Sequence, residues 1–201
     1  VRARPRVLSV LGIGLFYGLY SEGFDRLWVK HILGSFALPA FFANNQVAFF
    51  SALKAVGTVL TIITLRPIEK RLDTSQPQAI GRAMLFVTGA ISAGLIGFAF
   101  SSLLGLTIGA FLLIMILRQI ATPLYTSWVN QKLDSRTRAT VLSISSQVDA
   151  VGQIAGGPSV GLIAKFASVV AAISTSGLLL TPALFLVGRA NAQSRELDKD
   201  I

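Results

Sequence analysis

Cysteine is absent from this sequence, histidine occurs once, and charge is scarce. Without cysteine there is no disulfide framework and no thiolate metal site, though this does not fix the compartment. His31 sits at the end of an apolar run, where an interfacial place is expected, and no His/Asp/Glu group has metal-ligand spacing. Ser145 and Ser146 have no neighbouring histidine to activate them. Phosphate-cradling glycine loops and Walker motifs are missing too. The chain therefore reads as no enzyme and implies no cofactor. Only 13% of its 201 residues are charged, about half the fraction usual for a soluble domain. Hydrophobic residues make up 53%, and the mean hydropathy is +0.68.

What is present is a series of long apolar runs. Between Arg82 and Arg118 lie 35 residues without a charge. As one helix they would span about 52 Å, against a hydrocarbon core of about 30 Å. The run must fold back, and Ser101-Ser102 is the natural place. Applied along the chain, this reasoning predicts six membrane spans near 7–28, 45–65, 80–100, 103–124, 139–164 and 166–187, with a cytoplasmic tail at 188–201. Residues 29–44 form the first connection, turning at Pro39 and Asn44. The fold class is thus an all-α membrane protein whose chief partner is the lipid bilayer. VRARPR at the N-terminus is no signal peptide, and the chain is expected to be a piece of something longer.

The net charge of +9 does not form a nucleic-acid patch. Of 18 basic residues, 13 fall at one end of the predicted spans: Arg2, Arg4, Arg6, Arg66, Lys70, Arg71, Arg82, Lys132, Arg136, Arg138, Arg189, Arg195 and Lys199. The other end holds Arg26, Lys30 and Lys165. By the positive-inside rule both termini face the cytoplasm. Topology accounts for the basic residues, so nucleic-acid binding is disfavoured.

Lys54, Arg118, Asp149 and Glu22 remain, all inside predicted spans. Counting at 1.5 Å per residue puts Lys54 about 14 Å and Asp149 about 15 Å deep, near the midplane. Glu22 lies nearer the outer face, four residues from Arg26 and so able to pair with it. Asp25 and Arg26 are expected at the water boundary. A helix-centre charge costs about 2.5–3.5 kcal/mol, so these groups should face the bundle interior or a wet cavity. Pairing that merely locks the bundle is an even alternative for Lys54 and Arg118. Asp149 carries a stronger functional expectation, because Ser145, Ser146, Gln147 and Gln153 surround it at helical spacing. Arg118, about 7 Å away along the membrane normal, is its expected partner. The sixth span holds no ionisable residue and the third none beyond Arg82 at its entry, which suggests three-span units whose last helix faces lipid. Two glycine patterns complete the reading. Gly14 and Gly18 form a close-packing GxxxG, and Gly152, Gly156, Gly157, Pro158 and Gly161 form a packing or flexing motif.

SEGFDRLW at 21–28, ILRQIATPLY at 116–125, RTRATVLSISSQ at 136–147 and GQIAGGPSVG at 152–161 carry a resemblance to the C-terminal half of a major facilitator superfamily transporter. SEGFDRLW is similar to bacterial members described as efflux permeases. The resemblance covers the whole chain as helices seven to twelve of twelve. It implies two inverted three-helix repeats, a missing N-terminal six-helix half, a small-molecule substrate and the bacterial inner membrane. It also implies alternating access, with proton-coupled efflux driven by a proton or ion gradient. Glu22, Asp25, Arg26, Lys54, Arg118, Asp149 and Gln153 are then the substrate or coupling candidates. A closed six-helix structural or assembly protein and a homodimeric carrier stand as alternatives.

Overall fold

The computed structural model describes residues 5–42, 44–71, 77–132 and 135–197. These form helices α1 (Pro5–Ser35), α2 (Gln46–Arg71), α3 (Pro77–Phe100), α4 (Leu104–Lys132), α5 (Ser135–Phe166), α6 (Val169–Leu178) and α7 (Thr181–Leu197), with a 3₁₀ turn at Ala40–Phe42. No strand occurs among the described residues. Five stretches are long and apolar enough to cross a membrane: Val7–Ser35, Gln46–Leu65, Gln78–Phe100, Leu104–Gln131 and Val169–Ala192. Helix α5 has the length, at 32 residues, but its serines, glutamines and Asp149 keep it below that apolar threshold. Helix α5 is one of the three that line the cavity described below.

Local chemistry fixes several boundaries. Proline heads α1 and α3, where its missing N–H is no loss. Asn45 caps α2, its Oδ1 accepting from the Ala48 amide at 3.0 Å, and Ser168 caps α6 through the Ala171 amide at 3.0 Å, each satisfying an orphan donor. The last predicted span is interrupted: α6 stops at Leu178, and α7 resumes with Thr181-Pro182. Pro182 has no amide to offer the Leu178 carbonyl, which explains the break. Helix α7 runs to Leu197, so part of the predicted tail is helical, and 198–201 lie outside the described residues. Residues 72–76 also lie outside them.

Contacts between helices give their directions. Tyr17 meets Thr88, and Phe24 and His31 meet Phe98, so α1 and α3 run the same way. Gly14 meets Ser145 while Gly23 meets Val160, so α5 runs with them. Arg118 meets Asp25 and Tyr125 meets Val10, so α4 runs against α1. Gly23 meets Ser176 and Gly12 meets Leu186, so α6 and α7 also run against it. The chain therefore passes back and forth. Arg82, Arg136, Arg138 and Arg189 gather at the end where α1 starts; Arg26, Lys30 and Lys165 gather at the other.

Helix α1 is the hub, packed along its length on α5 and also touching α4, α6 and α7. Its contact with α5 is a seam of small residues. A methyl on Gly18 would meet the Asp149 carbonyl, and one on Gly152 or Gly156 would meet the carbonyls of Leu15 and Leu19. The two backbones touch because neither carries side chains between them, as small-residue packing allows. Nearer the far end, Trp28 stacks on Phe111 at 4.3 Å and Phe24 sets its edge against Phe98 at 5.3 Å.

Two expectations take a different form in the fold. The helix whose span is free of charge past Arg82, α3, is not the least packed within the chain. Its span is the most buried of the five, at 44%, while that of α2 is the least, at 22%. Packing on α4, α6 and α7, with side-chain contacts to α1, covers one face of α3, where side chains are apolar or internally bonded, while Phe86 and Phe100 stay exposed. His31, expected at a span end, lies one turn from the end of α1 and is covered by protein. It is buried at 2% exposure, with Nε2 3.1 Å from the Phe98 carbonyl. That carbonyl belongs to the last turn of α3, where the helix leaves acceptors without partners.

Candidate functional site

A cavity of about 340 Å³ opens between α1, α4 and α5. Helix α1 contributes Gly14, Tyr17, Tyr20 and Ser21; α4 contributes Arg118, Thr122, Tyr125 and Thr126; α5 contributes Ser145, Ser146, Asp149 and Gln153. Thr122, Thr126 and Ser146 are exposed, so the cavity reaches the surface of the bundle. The chain has three tyrosines, and all of them line it. Tyr17 lies edge-on to Tyr20 at 5.6 Å and stacks with Tyr125 at 6.3 Å.

Arg118 is held by two hydrogen bonds to Asp25, Nη1 to Oδ1 at 2.6 Å and Nη2 to Oδ2 at 2.8 Å. This fork-to-fork geometry is the strongest arrangement an ion pair of these types adopts. The guanidinium also lies over the Tyr20 ring, 5.9 Å from its centroid. The expected pairing of Arg118 with Asp149 is therefore not observed. Asp149 instead accepts from Gln153 Nε2 at 2.8 Å, one turn along its own helix. Asp25 is corrected as well. Helix α1 continues to Ser35 instead of ending near Trp28, so Asp25 sits about 15 Å from the helix end, level with Arg118.

The remaining candidates separate from this cavity. Glu22 and Arg26 make the expected i,i+4 pair, at 2.7 Å. Arg26 joins Lys30, Lys165, Gly157, Pro158 and Gly161 around a second, more open pocket. Lys54 is exposed on α2, with its ammonium 5.6 Å from the Trp28 ring. Of the α5 motif, Gly152 and Gly156 are seam residues, Gly157 meets the Arg26 side chain, and Gly161 borders open space. Helix α5 continues through Pro158.

Tyr17, Tyr20, Tyr125, Thr122 and Thr126 are not among the substrate or coupling candidates that the sequence raises. Tyr125 sits seven residues after Arg118, two helical turns along the same face, and that spacing is the signal that could have found it.

Five apolar spans in an all-helical arrangement, among the described residues, are those of a helical membrane protein, and a polar cavity lies between α1, α4 and α5. Comparison with known proteins gives a narrower likeness. The chain is similar to the uncharacterized MFS-type transporter YxaM of Bacillus subtilis (strain 168), 27% identical over 185 residues. The match covers 92% of this chain and 42% of that protein, so the chain spans less than half the length of its curated relative. No family model matches, and no solved structure matches. The relative and the apolar spans together support a membrane location and an MFS-like transporter.

Proposed function

We propose that the chain is the C-terminal six-pass half of a secondary transporter, moving a small solute by alternating access. The observation that carries this is the cavity between α1, α4 and α5, which holds an ion pair, a separate carboxylate and three tyrosines among apolar helices. Ionisable groups inside a membrane face a partner or a solute path, and transporter sites lie near the midplane between structural repeats. The similarity to an MFS-type transporter supports the same reading. In this account α5 is the sixth membrane-crossing element: its polar face turns to the cavity, and its length matches the other spans. The end rich in arginine faces the cytoplasm of a bacterial inner membrane.

Asp149 is the proton-coupling and solute-facing carboxylate, and Gln153 positions it. Arg118, tied to Asp25, braces α4 against α1 at the same level. Efflux coupled to proton entry is the expected direction. The exposed faces of α2 and α5 meet an N-terminal half that completes the cavity. Asp149→Asn in the intact protein, reconstituted in proteoliposomes, should reduce pH-gradient-driven solute flux at least tenfold while membrane insertion is unchanged. Undiminished coupled flux in that variant would remove Asp149 from the mechanism.

A further inference from the structure

We infer that the cavity between α1, α4 and α5 is built to take an organic cation, an ammonium-type group carried on an apolar or aromatic body. This rests on the transporter reading for its biological use but on local chemistry for its assignment. Charge comes first. Arg118 and Asp149 line the cavity. Asp25, behind the lining, takes both hydrogen bonds of the Arg118 fork, so with Asp25 counted the ionised Asp149 carboxylate is the excess charge. Glu22 and Arg26 cancel each other outside it. The site is thus net negative by one unit.

Hydrogen-bond polarity points the same way. Ser21, Thr122, Thr126 and Ser146 donate to the carbonyls of Gly18, Arg118, Thr122 and Leu142 in their own helices. Thr88 donates to Met84, so the Tyr17 hydroxyl donates to Thr88. Tyr125 donates to the Val10 carbonyl, so Ser145 donates to Tyr125. Apart from Tyr20, each lining hydroxyl has an acceptor within the protein, Thr122 at 3.4 Å, and turns its lone pairs to the cavity. The donors left to an anion are the second amide hydrogen of Gln153 and the Arg118 N–H groups not used on Asp25. An anion needs donors and finds few; a cation needs acceptors and finds many. Tying down the hydroxyls of Tyr17 and Tyr125 also leaves their rings as wall, and aromatic faces attract ammonium and guanidinium groups. Arg118 over Tyr20 is an instance already in place. The volume, about 340 Å³, falls in the range of roughly 300–1,000 Å³ found for small-molecule sites.

The test is equilibrium binding to the intact protein in lipid nanodiscs. Radiolabelled benzyltrimethylammonium is the probe, compared with its uncharged carbon isostere and with benzoate. The expected result is saturable binding of the cation, at least tenfold tighter than either comparison compound. Asp149→Asn should weaken it at least tenfold and Asp149→Glu should restore most of it. Tyr17→Phe should change it less than threefold, whereas Tyr17→Leu should weaken it roughly tenfold. Equal or tighter binding of benzoate or of the uncharged isostere would overturn the assignment, as would cation binding indifferent to Asp149. Failure of the transporter reading looks different: cation binding that needs Asp149, with no flux of any of the three compounds in proteoliposomes.

Discussion

Asp25 shows how much a single side chain depends on where its helix ends. Three residues from Glu22 and beside Arg26, it reads as a boundary charge if α1 stops near Trp28. With α1 continuing to Ser35, the same carboxylate stands beside Arg118 and forms both hydrogen bonds of the pair. The Glu22–Arg26 pair was legible because i,i+4 spacing on one helix fixes it; the Asp25–Arg118 pair was not, because register between two helices is set by packing. Asp25→Ala should leave the Arg118 guanidinium without its fork. Since the Asp25 side chain is 49% exposed, the loss is expected at about 1–2 kcal/mol, below the 3–5 of a fully buried pair. Arg118→Leu added to it should recover part of the stability, because no stranded charge remains. Unfolding of both variants in micelles checks this, and a double variant no more stable than Asp25→Ala alone would contradict it.

Helices α1 and α5 owe their closeness to glycines, and here the sequence patterns held real information. Gly14 and Gly18 on one side, Gly152 and Gly156 on the other, all lie in the seam between the two backbones. The motif on α5 divides by position. Gly18→Ala or Gly156→Ala forces backbone against a methyl and should cost about 1–3 kcal/mol, as overpacking does. Gly161→Ala, whose methyl meets open space, should be neutral or stabilise the helix by up to about 1 kcal/mol. Thermal midpoints of the variants in one detergent rank them, and a Gly18→Ala protein as stable as Gly161→Ala would refute the seam. What sequence could not give was the place of α3. A span free of charge past its entry fits a lipid-facing position and a covered one equally well, and only the contacts with α4, α6 and α7 show how much of it is covered. The break before Pro182 was readable in principle, since a proline cannot continue the hydrogen bonding of the preceding turn.

Taken whole, the chain alternates direction, gathers its apolar side chains around α1 and α3, and leaves α2 and α5 the most open to the surroundings. Alternation and the crowding of arginines at one end were legible from the charge pattern, because insertion into a membrane sorts lysine and arginine by side. The cavity was only half legible: Asp149, Gln153 and Arg118 stand out as polar groups in apolar runs, while the tyrosines and threonines beside them look like ordinary helix residues until three helices are brought together. An alternating-access protein must admit water to this cavity from one side and then the other, whereas a structural bundle would keep it shut. These 201 residues contribute no cysteine, so once any cysteines elsewhere in the intact protein are replaced by serine the distinction is measurable without background. The most direct measurement is the labelling of Ser146→Cys and Thr126→Cys, one at a time in the intact protein, by a membrane-impermeant maleimide applied to whole cells and to inside-out vesicles. The account predicts labelling of the cavity positions from both sides, slowed by a bound organic cation. Reaction from neither side, with the protein folded and inserted, would contradict it and leave a closed bundle in place of a transporter half.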